Sequence, residues 1–171
     1  MKRKTKIIMI IIDLVLCAIL IWLDQITKIW ATGLKQSDPI IIIDKIIQFR
    51  YLENFGAAFG MLQNSRIIFL IISVVVFAFI AYVYIKVPDD KKYIKFHICL
   101  AFILAGALGN TIDRFFLGYV RDFIYFDLIN FPIFNVADCY ITCCMIWLVI
   151  MILFCYKEED FDFLSRKKSD K

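Results

Sequence analysis

The sequence predicts an all-α membrane protein with four transmembrane helices and a small sheet outside the membrane. Hydrophobic residues make up 62% of the 171 residues, whereas soluble domains are about 45–50% apolar. Four long apolar runs are separated by charged segments, and the segment after the first run contains strand-like patterns. The length suits one domain, so we expect a single integral-membrane domain over residues 1–171.

The first predicted span covers residues 7–30, after a start that carries four basic residues. A basic start before an apolar core is also typical of a cleavable signal peptide. No small-residue cleavage site follows, and the run ends in Trp22-Leu23-Asp24-Gln25, which favours a retained helix. Because an acid is costly in lipid, we expect Asp13 to lie near the cytoplasmic interface or to face a partner helix.

Residues 35–62 form the predicted β region. Residues 40–43 are a β-branched run, and residues 47–51 alternate apolar and polar side chains, which predicts two short strands. The glycine- and alanine-rich stretch 54–60 follows. Small residues there allow close approach of the backbone to another segment or to a bound peptide, and a plain loop is the alternative.

The other three predicted spans cover residues 67–85, 96–114 and 136–156, each long enough to cross a bilayer. The charged segment between the second and third spans predicts a tight loop. Small residues at 105–109 favour close helix packing in lipid. The aromatic-rich connection before the fourth span predicts a loop partly embedded in lipid, and the charged tail from Lys157 predicts a solvated cytoplasmic end.

The distribution of basic residues orients the chain. Of the 20 Lys and Arg residues, 13 fall in the N-terminus, the 86–95 loop and the tail, and 7 fall in the other two connections. The positive-inside rule therefore places both termini in the cytoplasm and residues 25–66 and 113–137 outside. The net charge of +4 does not point to nucleic acid. No Cys-x-x-Cys pair occurs and His97 is the single histidine, so no metal or cofactor is expected.

This topology brings acids from separate segments to the outer rim of the bilayer. Two carboxylates that share a site cannot both ionise easily, so one keeps a proton. Such a pair can activate water and polarise a carbonyl without a metal. Asp122 and Asp138 are the predicted pair. The first turn of the fourth helix favours the charged form of Asp138, and aromatic neighbours favour the neutral form of Asp122.

Two other classes of function fit the same residues. The acids at positions 24, 113, 122 and 138 are also typical of a proton or cation relay in a small transporter, and a non-catalytic membrane scaffold is a third interpretation. A relay requires acids spread in depth through the bundle, whereas these four gather at one face and only Asp13 lies elsewhere.

Five motifs distinguish between these classes. In chain order they are Asp24-Gln25-x-x-Lys28, Asn54-x-Gly56-Ala57-Ala58-Phe59, Gly109-Asn110-x-x-Asp113-Arg114, Gly118-x-Val120-x-Asp122-Phe123-Ile124 and Phe134-Asn135-x-Ala137-Asp138. With these motifs the chain resembles the lipoprotein signal peptidase family, also called signal peptidase II, over residues 14–156. Any one motif alone is weak, and the ordered set is specific.

The resemblance implies a four-helix enzyme of the bacterial inner or plasma membrane with a small extracytoplasmic β-cradle. Family members cut the signal peptide from prolipoproteins, on the N-terminal side of a cysteine that carries a diacylglyceryl group. The implied partners are these substrates and membrane lipid, without a cofactor, and we expect a monomer. The implied catalytic pair is Asp122 and Asp138. The implied supporting residues are Asp24, Asn54, Gly56, Asn110, Asp113, Arg114, Asn135 and Ala137.

We predict physical roles for several supporting residues. Arg114 pairs with Asp113; Asn54 and Asn110 hydrogen-bond the extended substrate backbone; Asn135 orients Asp138.

Further expectations concern the surroundings of the pair. Arg121 stands where the family usually has an apolar residue, and its charge is expected to lower the pKa of Asp122. Ala105 stands where glycine is common and is expected to affect helix packing only. Candidates to cover the site or guide acyl chains are Phe59, Phe102, Leu104 and Ile141.

Overall fold

The computed structural model describes residues 2–56 and 65–164. Within this part of the chain, four long helices are α1 (Lys2–Thr32), α2 (Arg66–Lys86), α3 (Ile94–Phe116) and α4 (Val136–Phe154). All four are long and apolar enough to cross a membrane. The prediction of four membrane-capable helices is therefore confirmed.

The helix α3 is the centre of the bundle and packs against the other three. Inside the protein, 61% of the α3 span is buried, against 22% for α1 and 11% each for α2 and α4. The exposed apolar side chains of the outer helices suit lipid. Because α3 is enclosed, it carries polar groups near its end without presenting them to hydrocarbon.

Glycines let two helices approach α3 closely. A methyl group at Gly106 would lie 2.5 Å from the carbonyl oxygen of Ala137 on α4. A methyl group at Gly109 would overlap with Oδ2 of Asp24 on α1. Both separations are far below van der Waals contact, so the small residues are required by packing, as the sequence predicts.

The described residues also form a three-stranded antiparallel sheet in the order β1 (Ile40–Ile43), β2 (Ile47–Asn54) and β3 (Val120–Phe126). The first two strands match the predicted β region. The third lies in the connection predicted as a loop, so the loop prediction is wrong for Val120–Phe126, and its partial embedding in lipid stays a prediction. Four successive residues of β3, from Val120, are buried. A strand buried on both faces lacks the alternation that predicts a strand.

Aromatic packing fixes the sheet to the bundle. The Trp30 ring, at the end of α1, lies 5.4 Å from Phe49 of β2 and 5.9 Å from Phe123 of β3, in both cases edge to face. Such pairs add about 0.5–1.5 kcal/mol each beyond their buried area. We call this end of the bundle the sheet end, and the opposite end, with the α2–α3 connection, the loop end.

The segment after α4 folds back on the loop end. Phe161 and Phe163 pack against the apolar core there, and Lys92 Nζ lies 2.5 Å from Asp160 Oδ2. The charged residues 157–159 stay exposed, as a solvated tail predicts, whereas Phe161 and Phe163 return to the bundle. Residues 165–171 lie outside the described part.

Candidate active site

Two asparagines connect the two predicted catalytic carboxylates at the sheet end. Asn135 Nδ2 donates to Asp122 Oδ1 at 2.6 Å and also to Asn110 Oδ1 at 3.1 Å. Asn110 Nδ2 in turn donates to Asp138 Oδ1 at 2.8 Å. Asp122 from β3 and Asp138 from α4 are thus brought to one hydrogen-bonded group, although 16 positions separate them in the chain.

The start of α4 positions Asp138. Asn135 is the N-cap, and its side chain accepts from the Asp138 N–H at 3.1 Å. The Asp138 carboxylate accepts from the Asn135 N–H at 3.1 Å, which completes a capping box. This geometry agrees with the predicted orienting role of Asn135. A carboxylate in the first turn also interacts favourably with the helix dipole.

A short backbone connection holds this cap beside β3. The Phe134 carbonyl accepts from the N–H groups of Phe123 and Ile124, at 3.0 and 2.8 Å, and the Phe134 N–H donates to the Ile124 carbonyl at 3.0 Å. The residue before the N-cap is therefore bonded to the residues that follow Asp122. The chain sets the spacing of the two acids through backbone hydrogen bonds.

The second donor to Asp122 comes from β2. Asn54 is opposite Val120 in the antiparallel register, so it is the diagonal neighbour of Asp122 on the same face. Its Nδ2 donates to Asp122 Oδ2 at 2.8 Å, and its Oδ1 accepts from the Gly56 N–H at 3.0 Å. Each Asp122 oxygen thus accepts from one asparagine.

Burial, and then the nearby charge of Asp138, raises the pKa of Asp122 to about 7. Asp122 is 2% exposed. A carboxyl group with this pKa exchanges its proton near neutral pH, as acid–base catalysis requires. The direction agrees with the predicted neutral form of Asp122. The expectation that Arg121 lowers this pKa is wrong, because the Arg121 guanidinium is directed to Asp113 instead.

Behind the pair lies a buried cluster of two acids and two cations. Asp24 and Lys28, one turn apart on α1, are 2.8 Å apart, and both side chains are 0% exposed. Asp24 Oδ1 also accepts from the Ala137 N–H of α4 at 3.0 Å. Arg121 pairs with Asp113 at 2.7 Å. The cluster joins α1, α3, α4 and β3 directly behind the predicted catalytic pair.

Arg114 does not pair with Asp113, so that prediction is wrong. Adjacent residues of a helix point in different directions, and Arg114 leaves α3 on another side. Its Nη2 donates to the Gly56 carbonyl at 3.2 Å, and its guanidinium carbon lies 4.4 Å from the centre of the Phe69 ring. Arg114 thus connects α3 to the end of β2 and to α2.

The asparagines predicted to bind substrate have closer partners within the protein. Asn54 and Asn110 each give one side-chain N–H to one of the two predicted catalytic carboxylates. Contact of either residue with a substrate backbone stays a prediction. Phe59, with the alanines of its motif, lies outside the described residues. Phe102 packs edge to face on Tyr140 at 5.6 Å, and a role in guiding acyl chains stays a prediction.

Sequence reasoning missed three contributors to this network. Lys28 and Gln25 belong to the first motif but received no role, and Arg121 was placed beside the wrong acid. A signal for Lys28 was present, because a lysine one turn after an acid inside an apolar run requires a buried partner.

Comparisons with known proteins identify the family of the chain. The family model for signal peptidase II matches residues 16–154. A lipoprotein signal peptidase of Streptococcus agalactiae is 41% identical over 155 residues, covering 90% of this chain and 95% of the relative. A lipoprotein signal peptidase of Caldanaerobacter subterraneus is 44% identical over 145 residues, covering 82% and 95%.

Solved structures show the same fold. One, described as a bacterial membrane enzyme at 2.3 Å resolution, has a TM-score of 0.74 and 31% identity, and covers 91% of this chain and 93% of its own. A second, at 1.9 Å resolution, has a TM-score of 0.70 and 31% identity. It covers 84% of this chain and 94% of its own. The chain therefore belongs to the signal peptidase II family of peptidases.

Proposed function

We propose that this membrane peptidase removes signal peptides from prolipoproteins by aspartic hydrolysis, with Asp122 and Asp138 as the catalytic pair. One observation carries the assignment. Asp122 from β3 accepts from Asn135, Asp138 from α4 accepts from Asn110, and these two asparagines are hydrogen-bonded to each other. The pKa of about 7 at Asp122 supports it, because one carboxyl group of such a pair must hold a proton.

The geometry suits a division of roles. Asp138, in the first turn of α4, acts as the ionised base and accepts a proton from water. The water oxygen attacks the scissile carbonyl carbon while Asp122 gives its proton to the carbonyl oxygen, forming a tetrahedral diol. Asp138 then passes its proton to the leaving nitrogen as the C–N bond breaks. Asp122 recovers a proton from the diol as the carboxyl product forms.

The buried polar surround supports these steps. Asn54 and Asn135 fix the two oxygens of Asp122, and Asn110 fixes one oxygen of Asp138. Preorganised donors of this kind require little rearrangement during the reaction. Arg114, packed on Phe69 at the edge of the site, supports the end of β2 near the substrate path.

The membrane setting defines the substrate. The positive-inside rule places the sheet end outside and both termini in the cytoplasm of a bacterial cell. A diacylglyceryl cysteine keeps its acyl chains in lipid and holds the preceding peptide bond at the outer interface, beside the pair. The enzyme then cuts on the N-terminal side of the modified cysteine. A single chain carries both acids, which suits a monomer.

The test uses the purified full chain in detergent with a diacylglyceryl-modified prolipoprotein. We expect cleavage before the modified cysteine, and loss of at least about a hundredfold in Asp122→Asn and in Asp138→Asn. EDTA should leave the rate unchanged. Asp127→Asn, in the same connection but in the turn after β3, is the matched control and should cleave normally. Retained cleavage in either catalytic variant removes that acid from the pair.

A further inference from the structure

The buried cluster behind the pair is balanced in charge. Among its members, Asp24, Lys28, Asp113 and Arg121 are 0, 0, 1 and 8% exposed. Two acids face two cations there. Because an uncompensated charge is expensive at such burial, each member depends on the others. Removing one cation leaves an acid that must find another partner.

Lys28 connects this cluster to the catalytic pair. Its Nζ donates to Asn110 Oδ1 at 2.8 Å while it also pairs with Asp24. The same Asn110 oxygen accepts from Asn135. The two asparagines in turn donate to the two catalytic carboxylates, so the Lys28 charge acts on a group that contacts both of them.

The second acid of the cluster, Asp113, competes for Lys28 at a longer distance. Asp113 Oδ2 lies 3.8 Å from Lys28 Nζ, compared with 2.8 Å for the Asp24 and Asn110 oxygens. Arg121 accounts for the difference. It donates to Asp113 Oδ2 from its backbone N and from Nε, both at 3.0 Å, and to Oδ1 from Nη2 at 2.7 Å.

Gln25 fixes the arginine in this position. Its Oε1 accepts from Arg121 Nη2 at 2.9 Å, and its Nε2 donates to Asp113 Oδ1 at 3.3 Å. The two-pronged pair of Arg121 with Asp113 fixes the direction of the guanidinium as well as its charge. Asp113 is therefore satisfied without a close contact to Lys28.

We propose, on the basis of the function proposed above, that Arg121 is a positioning residue for the catalytic pair. By neutralising Asp113, it leaves Lys28 bound to Asn110 and keeps the charge behind the pair balanced. Without Arg121, two buried acids share one cation, and Asp113 draws Lys28 away from Asn110.

The consequence for the pair is electrostatic. The charge of Lys28 lowers the pKa of Asp122, against the larger effects of burial and Asp138. An excess negative charge in the cluster therefore makes loss of a proton from the pair harder, and an excess positive charge makes it easier. The other cation facing the pair is Arg114 of α3, which stays the same in every variant below.

The test compares variants that remove one charge each from the cluster with the double variant that removes both. The measurement is the pH dependence of kcat/KM for cleavage of a diacylglyceryl-modified prolipoprotein. In Arg121→Gln we expect both limbs of the profile to move to higher pH, by about 0.5 pH unit. In Asp113→Asn we expect both limbs to move to lower pH by a similar amount. In the double variant the limbs should return to the wild-type positions. In Arg121→Lys, which keeps the charge but loses the two-pronged geometry, the limbs should stay close to their wild-type positions even where the rate falls.

Limbs that move in opposite directions in Arg121→Gln and Asp113→Asn support the positioning role. A purely structural role of Arg121 would lower the unfolding temperature and leave both limbs in place. If Arg121→Gln does not fold, the Asp113→Asn shift decides, because an unchanged profile there overturns the positioning role. If the wild type cleaves normally and the limbs do not move in the folded variants, the positioning role of Arg121 is overturned and the proposed function stands. Absence of cleavage by the wild type instead contradicts the proposed function.

Discussion

Each end of the helix bundle buries one acid of α1, but the two acids have different hydrogen-bond partners. At the sheet end, Asp24 is 0% exposed and accepts from the Lys28 ammonium and the Ala137 N–H. At the loop end, Asp13 is 8% exposed. It accepts from the Tyr84 hydroxyl at 2.6 Å. Asp13 therefore faces partner helices, which agrees with one of its two expected positions.

The two ends also differ in how many of their buried polar atoms have hydrogen-bond partners. Each oxygen of Asp24 and Asp122 has a donor at the sheet end. At the loop end, His97 Nδ1 lies 3.9 Å from Asp13 Oδ2, beyond hydrogen-bond distance. Neither ring nitrogen of this buried histidine has a hydrogen-bond partner among the described residues. The Tyr84 ring packs edge to face against it at 4.8 Å.

Their surroundings differ as well. Next to Asp13, an apolar cavity of about 410 Å³ lies between α1, α2 and α3. Among the described residues that line it, Asp13 is the single acid. A buried acid is therefore insufficient evidence of catalysis. What distinguishes the sheet end is the meeting of two carboxylates that are linked to each other through the hydrogen bonds of Asn110 and Asn135.

The largest expected effect in this comparison comes from a single methyl group at the sheet end. Gly109→Ala places Cβ in overlap with Asp24 Oδ2, so the Asp24 carboxylate must move away from Lys28 and the Ala137 N–H. We expect a loss of about 1–3 kcal/mol in the free energy of unfolding and strongly reduced prolipoprotein cleavage. Thermal unfolding in detergent and initial cleavage rates measure both.

Gly33→Ala is the control for that substitution. Gly33 lies in the exposed turn after α1, where the nearest atom to an added methyl is the Trp30 carbonyl oxygen at 3.3 Å. It should change stability and cleavage only slightly. Equal losses in the two variants would mean that the Asp24 network tolerates displacement.

An intermediate effect is expected in the pH dependence of stability. The folded-state pKa of Asp122 is about 7, above the unfolded value of about 3.9. Between these two pH values the folded protein binds more protons than the unfolded chain. The free energy of unfolding therefore falls as pH rises from about 4 to 7. Asp122→Asn does not titrate and lacks this loss.

Unfolding temperatures of wild type and Asp122→Asn in detergent at pH 4 to 7 measure this difference. The wild type should lose stability relative to the variant as pH rises. Asp127→Asn is the control and should follow the wild type. Parallel curves for wild type and Asp122→Asn would show that Asp122 keeps an ordinary pKa and would weaken its role as the proton-bearing partner.

The membrane-capable helices and the predicted pair were accessible from sequence because their signals are local. Apolar runs set the helices, and the ordered motifs indicate the acids. The third strand was not accessible, since Val120–Phe126 is buried on both faces near its start and lacks alternation. The partner of Asp113 was also missed. Arg114 is adjacent in sequence, but the turn of α3 directs it elsewhere, and β3 brings Arg121 back from eight positions away.

The smallest expected effect tests the incomplete network at the loop end. In His97→Leu, an apolar side chain replaces two buried ring nitrogens that lack partners among the described residues. Removing unsatisfied polar atoms is close to neutral or stabilising, so the free energy of unfolding should change by less than about 1 kcal/mol and cleavage should stay at the wild-type rate. Tyr84→Phe is the comparison, because it removes the hydroxyl bound to Asp13 and should cost about 1–3 kcal/mol. A large loss of cleavage in His97→Leu, at unchanged unfolding temperature, would show that the two ends of the bundle are coupled and that the loop end contributes to the reaction.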